Sequence, residues 1–271
     1  MHTLPSIDMT AVVAIAEAAG QRILEVYNRP DPIEVITKAD DSPLTQADQA
    51  SHEWINAELS RLFPEIPILS EEGGDIPYTE RQNWIYCWQV DPLDGTKEFI
   101  KRNGEFAVNI ALLHQGKAIA GVLHVPYLNI SAWAQLGQGA YRRDADGRVY
   151  RLSAAAPTTR EDFTVLSSRS HMREETRNYL DQLPAHALRA AGSAYKFILV
   201  AGGEAHLYPR LGPTSEWDTS AGQIIVEEAG GELLDADTGL PFTYNRKNII
   251  NNSFILYGKG VRKWIEEFSI G

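Results

Sequence analysis

The sequence predicts a layered α/β fold of the α+β kind, and three observations predict it. Apolar residues in the first part of the chain recur at helical spacing. The pattern then switches to short apolar runs of strand type. In the second half helical and strand patterns alternate, which packs helices against sheets in layers. With 271 residues, 44% apolar and 23% charged, the chain has an ordinary globular composition and the length to bury a core.

Residues 9–27 put Met9, Val12, Val13, Ala16, Ile23, Val26 and Tyr27 on one helical face, and Asn28, Arg29 and Pro30 end that helix. Residues 45–62 repeat the pattern with Ala47, Trp54, Ile55, Leu59 and Leu62, after a turn at Ser42-Pro43. Residues 66–69 form a short apolar strand that stops at Ser70-Glu71-Glu72, and residues 84–90 form another that stops at Asp91-Pro92. Residues 106–113 and 118–125 flank a His-Gln-Gly-Lys turn and read as a hairpin, with strand signals following at 130–134 and 140–143. Around 153–162 the composition turns loop-like, dividing the chain into subdomains 1–158 and 159–271. Beyond it the expected order is strand 163–166, helix 173–183, strand 186–190, helix 193–201, strand 204–208, helix 217–229, strands 232–234 and 254–257, and helix 260–268.

A formal net charge of −11 excludes attraction to nucleic acid through the overall field, and no Lys/Arg-rich run supplies a local one. The same acidity repels a phosphate substrate unless bound divalent cations invert the local field. The one cysteine, Cys87, excludes an intramolecular disulfide and cysteine-rich zinc sites, and its apolar surroundings read as those of a buried thiol. The N-terminal stretch lacks the pattern of a secretory signal, and no apolar run approaches the roughly 20 residues that span a bilayer. The expectation is a cytoplasmic protein with no transmembrane segment. Peripheral contact with the cytoplasmic side of the inner membrane stays open, as does the choice between monomer and homodimer.

The most informative segment is Asp91-Pro92-Leu93-Asp94-Gly95-Thr96, placed where an apolar strand emerges. Two carboxylates three residues apart around a proline turn point into one small space, and such crowding needs a cation or a proton. Carboxylate and carbonyl oxygens, including that of Leu93, suit a hard cation such as Mg2+. The plain alternative is an acidic turn, since Asp-Pro and Asp-Gly are common turn pairs. Glu71 and Glu72 also follow an apolar strand, and in open α/β sheets ligands gather beyond strand carboxyl ends. Asp218 sits in the first turn of a helix, where it is either a further ligand or a favourable partner of the helix dipole. Gly95 and Thr96 open a short helix whose N–H groups suit phosphate oxygens. The Thr96 hydroxyl can orient a water if a carboxylate accepts its proton. Asp41 is the candidate acceptor; its plain alternative is a turn or capping role.

These residues resemble a known group. Ser70-Glu71-Glu72, DPLDGT at 91–96 and Trp217-Asp218 occur in that order, with DDSPLTQAD at 40–48 upstream. They resemble the inositol monophosphatase superfamily of lithium-sensitive, magnesium-dependent phosphatases, across nearly the whole chain. KADDSPLTQAD, PILSEE, VDPLDGTKEFIKRNGEFAVNIAL, SSRSH and LYPRLGPTSEWDTSAG look like its CysQ-type 3′(2′),5′-bisphosphate nucleotidase branch. The resemblance implies an αβαβα sandwich. It also implies hydrolysis of adenosine 3′,5′-bisphosphate, a by-product of sulfate assimilation, to AMP and phosphate with two or more Mg2+ ions. Carried over, it makes Glu71, Asp91, the Leu93 carbonyl, Asp94 and Asp218 metal ligands and Asp41 with Thr96 a water-activating pair, with the attacking water expected to be held by the metal, Glu71 and Thr96. Gly95 and Thr96 cradle the scissile phosphate. Ser193, Lys196, Arg210 and His171 resemble nucleotide contacts, Lys196 and Arg210 being chemically apt for a second phosphate. For Lys196 a solvated helix face, for Arg210 a surface charge at a strand end, and for His171 a turn are the plain alternatives.

Inositol monophosphatase or fructose 1,6-bisphosphatase activity is the neighbouring reading, and a silent metal- and nucleotide-binding sensor is the rival from another class. Three weaker motifs read as turns: Asp235-Ala236-Asp237-Thr238-Gly239, Asp144-Ala145-Asp146-Gly147 and Gly137-Gln138-Gly139, which lack the glutamate of a calcium loop or the third glycine of a dinucleotide site.

Overall fold

The computed structural model describes residues 7–31, 33–37, 43–169 and 173–269. Asp8 caps the first helix, Met9–Tyr27, by accepting from the Thr10 N–H at 2.9 Å. Thr45 opens the second, Gln46–Leu62, in a reciprocal capping box with Asp48. Both helices bury their apolar faces on one side of a seven-stranded sheet, against Trp88, Val90, Val108, Ile110, Leu112 and Val122. Each fully buried side chain of this size contributes about 1.5–3 kcal/mol.

That sheet runs in chain order through Ile68–Ser70, Tyr86–Asp94, Ala107–His114, Lys117–Val125, Ile130–Gln135, Gly139–Arg143 and Val149–Arg151. Its first pair is parallel and the rest antiparallel. On its other face lie the helices Tyr195–Ala201 and Ser220–Glu228, which pack in turn on a five-stranded sheet through Leu166, Tyr208, Leu233, Phe254 and Leu256. This second sheet is ordered Ala187–Ala191, Thr164–Ser168, Leu207–Arg210, Phe254–Tyr257 and Glu232–Asp235. Its outer face, with Phe163, Val165 and Leu207, is covered by Leu180 of the helix Glu174–Leu180 and by Val261 and Trp264 of Val261–Ser269. The result is five layers, αβαβα, as expected. The division drawn at 158/159 falls between Val149–Arg151 and Thr164–Ser168.

Two differences from the sequence reading concern the site. The strand expected to stop at Val90 continues to Asp94, and its pairing with Ala107–His114 shifts register between Asp91 and Asp94. Pro92 lies inside that irregularity, where no ladder hydrogen bond is demanded of it. The helix expected over 217–229 divides into a 3-10 turn, Glu216–Asp218, and the helix Ser220–Glu228. The short pairs Val35–Thr37 with Pro43–Thr45 and Thr214–Ser215 with Ile250–Asn251 were not foreseen, because strands of two or three residues carry no readable period. Cys87 is buried as expected, and burial pushes its thiol up to about 12. No helix among the described residues is long and apolar enough to cross a membrane.

Candidate active site

Parallel pairing aligns Ser70 with Val90, so the strands Ile68–Ser70 and Tyr86–Asp94 deliver Glu71 and Asp91 side by side at one sheet end. The 3-10 turn at Glu216–Asp218 approaches from the second half. Its Asp218 is held by the Ser215 N–H, 2.8 Å from Oδ2. Carboxylate oxygens of Asp91, Asp94 and Asp218 lie within 4.8 Å of one another. Glu71, Leu93, Gly95 and Thr96 line the same cavity of about 460 Å³.

Burial, and then the charges of Glu71, Asp94 and Asp218, drive the Asp91 carboxyl well above the usual range. Asp218 is likewise pushed well up by burial, then by Asp94 and Glu71. Asp94 is raised mainly by burial, against hydrogen bonds from Ser193 Oγ and the Ala194 N–H, both 2.6 Å from Oδ2. One buried and two half-buried carboxylates crowded this closely suit a hard cation, which requires oxygen ligands and supplies the compensating charge. The donor set therefore fits a divalent metal ion. The Leu93 N–H donates to Asp91 Oδ1 at 3.0 Å, which aims that carboxylate. The Leu93 carbonyl lies 3.4 Å from Thr96 Oγ1.

Gly95 has φ +93°, and a Cβ there would stand 3.1 Å from Ser193 Cβ and 3.2 Å from the Glu105 carbonyl. Glycine is thus required both by conformation and by the close approach of the 193 turn. That turn is itself unusual: Ser193 adopts φ +51° and donates to Asp94. Thr96 Oγ1 donates to Asp48 Oδ1 at 3.2 Å, while Asp48 Oδ2 accepts from the Thr45 N–H and hydroxyl at 2.8 and 2.6 Å. Asp48 was not among the sequence candidates. Its helix-start position, three residues after Thr45, was the available signal and reads equally as a cap. Asp41 and His171 lie outside the described residues.

The cavity wall also carries cations. Arg210, closing the strand Leu207–Arg210, reaches Ser168 Oγ at 3.3 Å and faces the cavity. Lys196 is no solvated helix residue: it is 5% exposed, with Nζ 2.7 Å from the Ser193 carbonyl, 3.2 Å from that of Ala191, and over the Tyr208 ring. At the rim Arg169 and Glu105 form a two-pronged ion pair at 2.6 and 2.7 Å. Glu216 also went unforeseen. It is fully buried and accepts from Gln89 Nε2, the N–H groups of Asn245 and Arg246, and Arg246 Nε, at 2.6–3.1 Å. It anchors the turn that carries Asp218.

The profile of the inositol monophosphatase family matches residues 6–267, and the chain belongs to that family. Within it, the chain is 45% identical over 245 residues to the 3′(2′),5′-bisphosphate nucleotidase CysQ of Shigella flexneri, covering 90% of this chain and 96% of that protein. Identity to the CysQ nucleotidase of Escherichia coli strain K12 is 44% over the same coverage. The crystal structure of CysQ from Bacteroides thetaiotaomicron superposes with a TM-score of 0.82 at 38% identity, over 94% of this chain and 98% of that one.

Proposed function

We propose that this chain is a Mg2+-dependent phosphoric monoester hydrolase acting on a 3′(2′),5′-bisphosphate nucleotide, releasing phosphate from adenosine 3′,5′-bisphosphate to leave AMP. One observation carries the reading: a single cavity is lined both by a three-carboxylate cluster and by the cation Arg210, which supports a metal-held phosphate and a second phosphate in one substrate. Kinship with the CysQ nucleotidases supports the choice of nucleotide.

Asp91, Asp94 and Asp218 would hold the metal, with Glu71 and the Leu93 carbonyl at the same cavity wall. When bound, Mg2+ supplies charge neutralisation for the phosphoryl group, water and leaving oxygen. The protein's own part is positional. Of its two acceptors in reach, the Thr96 hydroxyl has the nearer and charged one in Asp48, and with its one proton given there its lone pairs would accept from a water. Asp48 is held in turn by two bonds from Thr45, which keeps that orientation fixed. The oriented water attacks phosphorus and the P–O3′ bond breaks; one proton of that water stays on the released phosphate, and the other balances the proton that the departing 3′-oxygen takes up from solvent. The N–H groups beside Gly95 and Thr96 receive the scissile phosphate, and Arg210 receives the 5′-phosphate. Lys196, committed to two backbone carbonyls, supports the Ser193 turn beside it.

The test is a phosphate-release panel of adenosine 3′,5′-bisphosphate, inositol 1-phosphate and fructose 1,6-bisphosphate, each with and without Mg2+. Preference for the nucleotide with Mg2+ is expected. Preference for either sugar phosphate would move the assignment within the family, and no release from any substrate would favour a sensor.

A further inference from the structure

The helix Gln46–Leu62 buries Ala47, Ile55 and Leu59, yet the same buried side carries polar residues at Asp48, Ser51 and His52. Their spacing of three and four places them on one helix face. Buried polar groups in such a position need partners, and these find theirs on the segments that carry the acidic residues. Asp48 takes Thr96, as described above. Ser51, fully buried, donates from Oγ to the Pro92 carbonyl at 2.7 Å, between Asp91 and Leu93. His52 Nδ1 hydrogen-bonds Ser70 Oγ at 2.9 Å, directly before Glu71, and Asn56 Nδ2 lies 3.0 Å from its Nε2.

Asp91 and Asp94 stay paired with Asn109 and Ala107 of the next strand, but pairing between the two acidic strands themselves does not carry through to their carboxylates. The last ladder contact between those two is the Glu71 N–H to the Val90 carbonyl, 3.1 Å. Beyond that point one chain turns back, with the Gly73 N–H on the Ser70 carbonyl, and the other enters the irregular Asp91–Asp94 stretch. From there Ser51 holds one segment and His52 the other, both from the rigid frame of a single helix.

We propose that Ser51 and His52 are positioning residues that set the separation of Glu71 from Asp91 and Asp94 for the metal ion. The inference rests on the metal-assisted reading above. Neither residue lines the cavity, so both act through the segments they hold.

The experiment is isothermal calorimetry of Mg2+ binding to the full chain without substrate, with melting temperature measured in parallel. Ser51→Ala and His52→Ala should each weaken Mg2+ about tenfold, the usual scale for partners that orient ligands. Ser70→Ala removes the other half of the His52 bond. The double variant His52→Ala/Ser70→Ala should therefore be no weaker than either single one. Leu180→Ala, in the outer core against the second sheet, serves as a destabilised control that keeps the parent affinity. Folded Ser51→Ala and His52→Ala proteins that bind Mg2+ within about twofold of the parent would overturn the proposal. So would additive losses in the His52/Ser70 cycle, which decides alone if Ser51→Ala does not fold. Substrate plays no part here: a parent that binds Mg2+ but hydrolyses no nucleotide fails only the functional reading, and a parent that binds no Mg2+ fails both.

Discussion

Replacing Asp91 with asparagine should make the metal-free protein more stable while removing its activity. The carboxylate oxygens of Asp91, Asp94 and Asp218 lie within 4.8 Å of one another. Unit charges at that separation repel by about 3.5 kcal/mol at an effective dielectric of about 20, so two neighbours together oppose ionisation of Asp91 by roughly 7 kcal/mol. A proton relieves this. Keeping a carboxyl of ordinary value 3.8 neutral at pH 7 costs about 4 kcal/mol. The smaller figure sets the penalty. Asparagine keeps the shape and an oxygen for the Leu93 N–H. A gain of about 2–4 kcal/mol is therefore expected, or a melting temperature roughly 5–10 °C higher for a chain of this size.

The assay is scanning calorimetry with chelator at pH 7, repeated at lower pH. Burial and the neighbouring carboxylates raise the folded-state value of Asp91. Its penalty is thus absent below the unfolded value and grows as pH rises through the folded one, so acidification should close the gap between variant and parent. Mg2+ should raise the parent's melting temperature more than the variant's. An Asp91→Asn protein that melts below the parent in chelator would refute the crowding argument.

Thr96→Ala and Asp48→Asn should each lower kcat by about 10²–10⁴-fold with little change in KM, and unchanged turnover would remove the pair from the mechanism. Arg210→Ala should lower kcat/KM for the bisphosphate nucleotide about 10–100-fold and spare inositol 1-phosphate; equal losses on both would count against a second-phosphate contact. Glu216→Ala strips a fully buried carboxylate from four N–H donors and should cost about 3–5 kcal/mol in urea unfolding, whereas a loss under about 1 kcal/mol would contradict its anchoring role.

The long helices and the two carboxylate-bearing strand ends were legible because period and chemistry coincide there. Met9–Tyr27 starts and stops where its apolar face and its Asn-Arg-Pro ending said it would. Asp91, Asp94 and Asp218 stood out as acidic residues beside apolar runs, and the structure brings those three together. What stayed hidden are polar residues whose partners are remote in sequence. Glu216 meets Asn245 and Arg246 across a distant loop, and Ser51 meets Pro92, so no local pattern marks either. For Lys196 the plain alternative of a solvated helix face fails, because helical spacing reports a direction and not the layer above it. The helix carrying it lies between the sheets.

The turn that bears Asp218 runs straight into the helix Ser220–Glu228, which is sandwiched between both sheets, whereas Asp91 and Asp94 belong to the first sheet alone. An ion shared among them would work as a rivet through two layers. Opening either layer would loosen it, and its presence should slow amide exchange in the central helix layer, well away from where it sits.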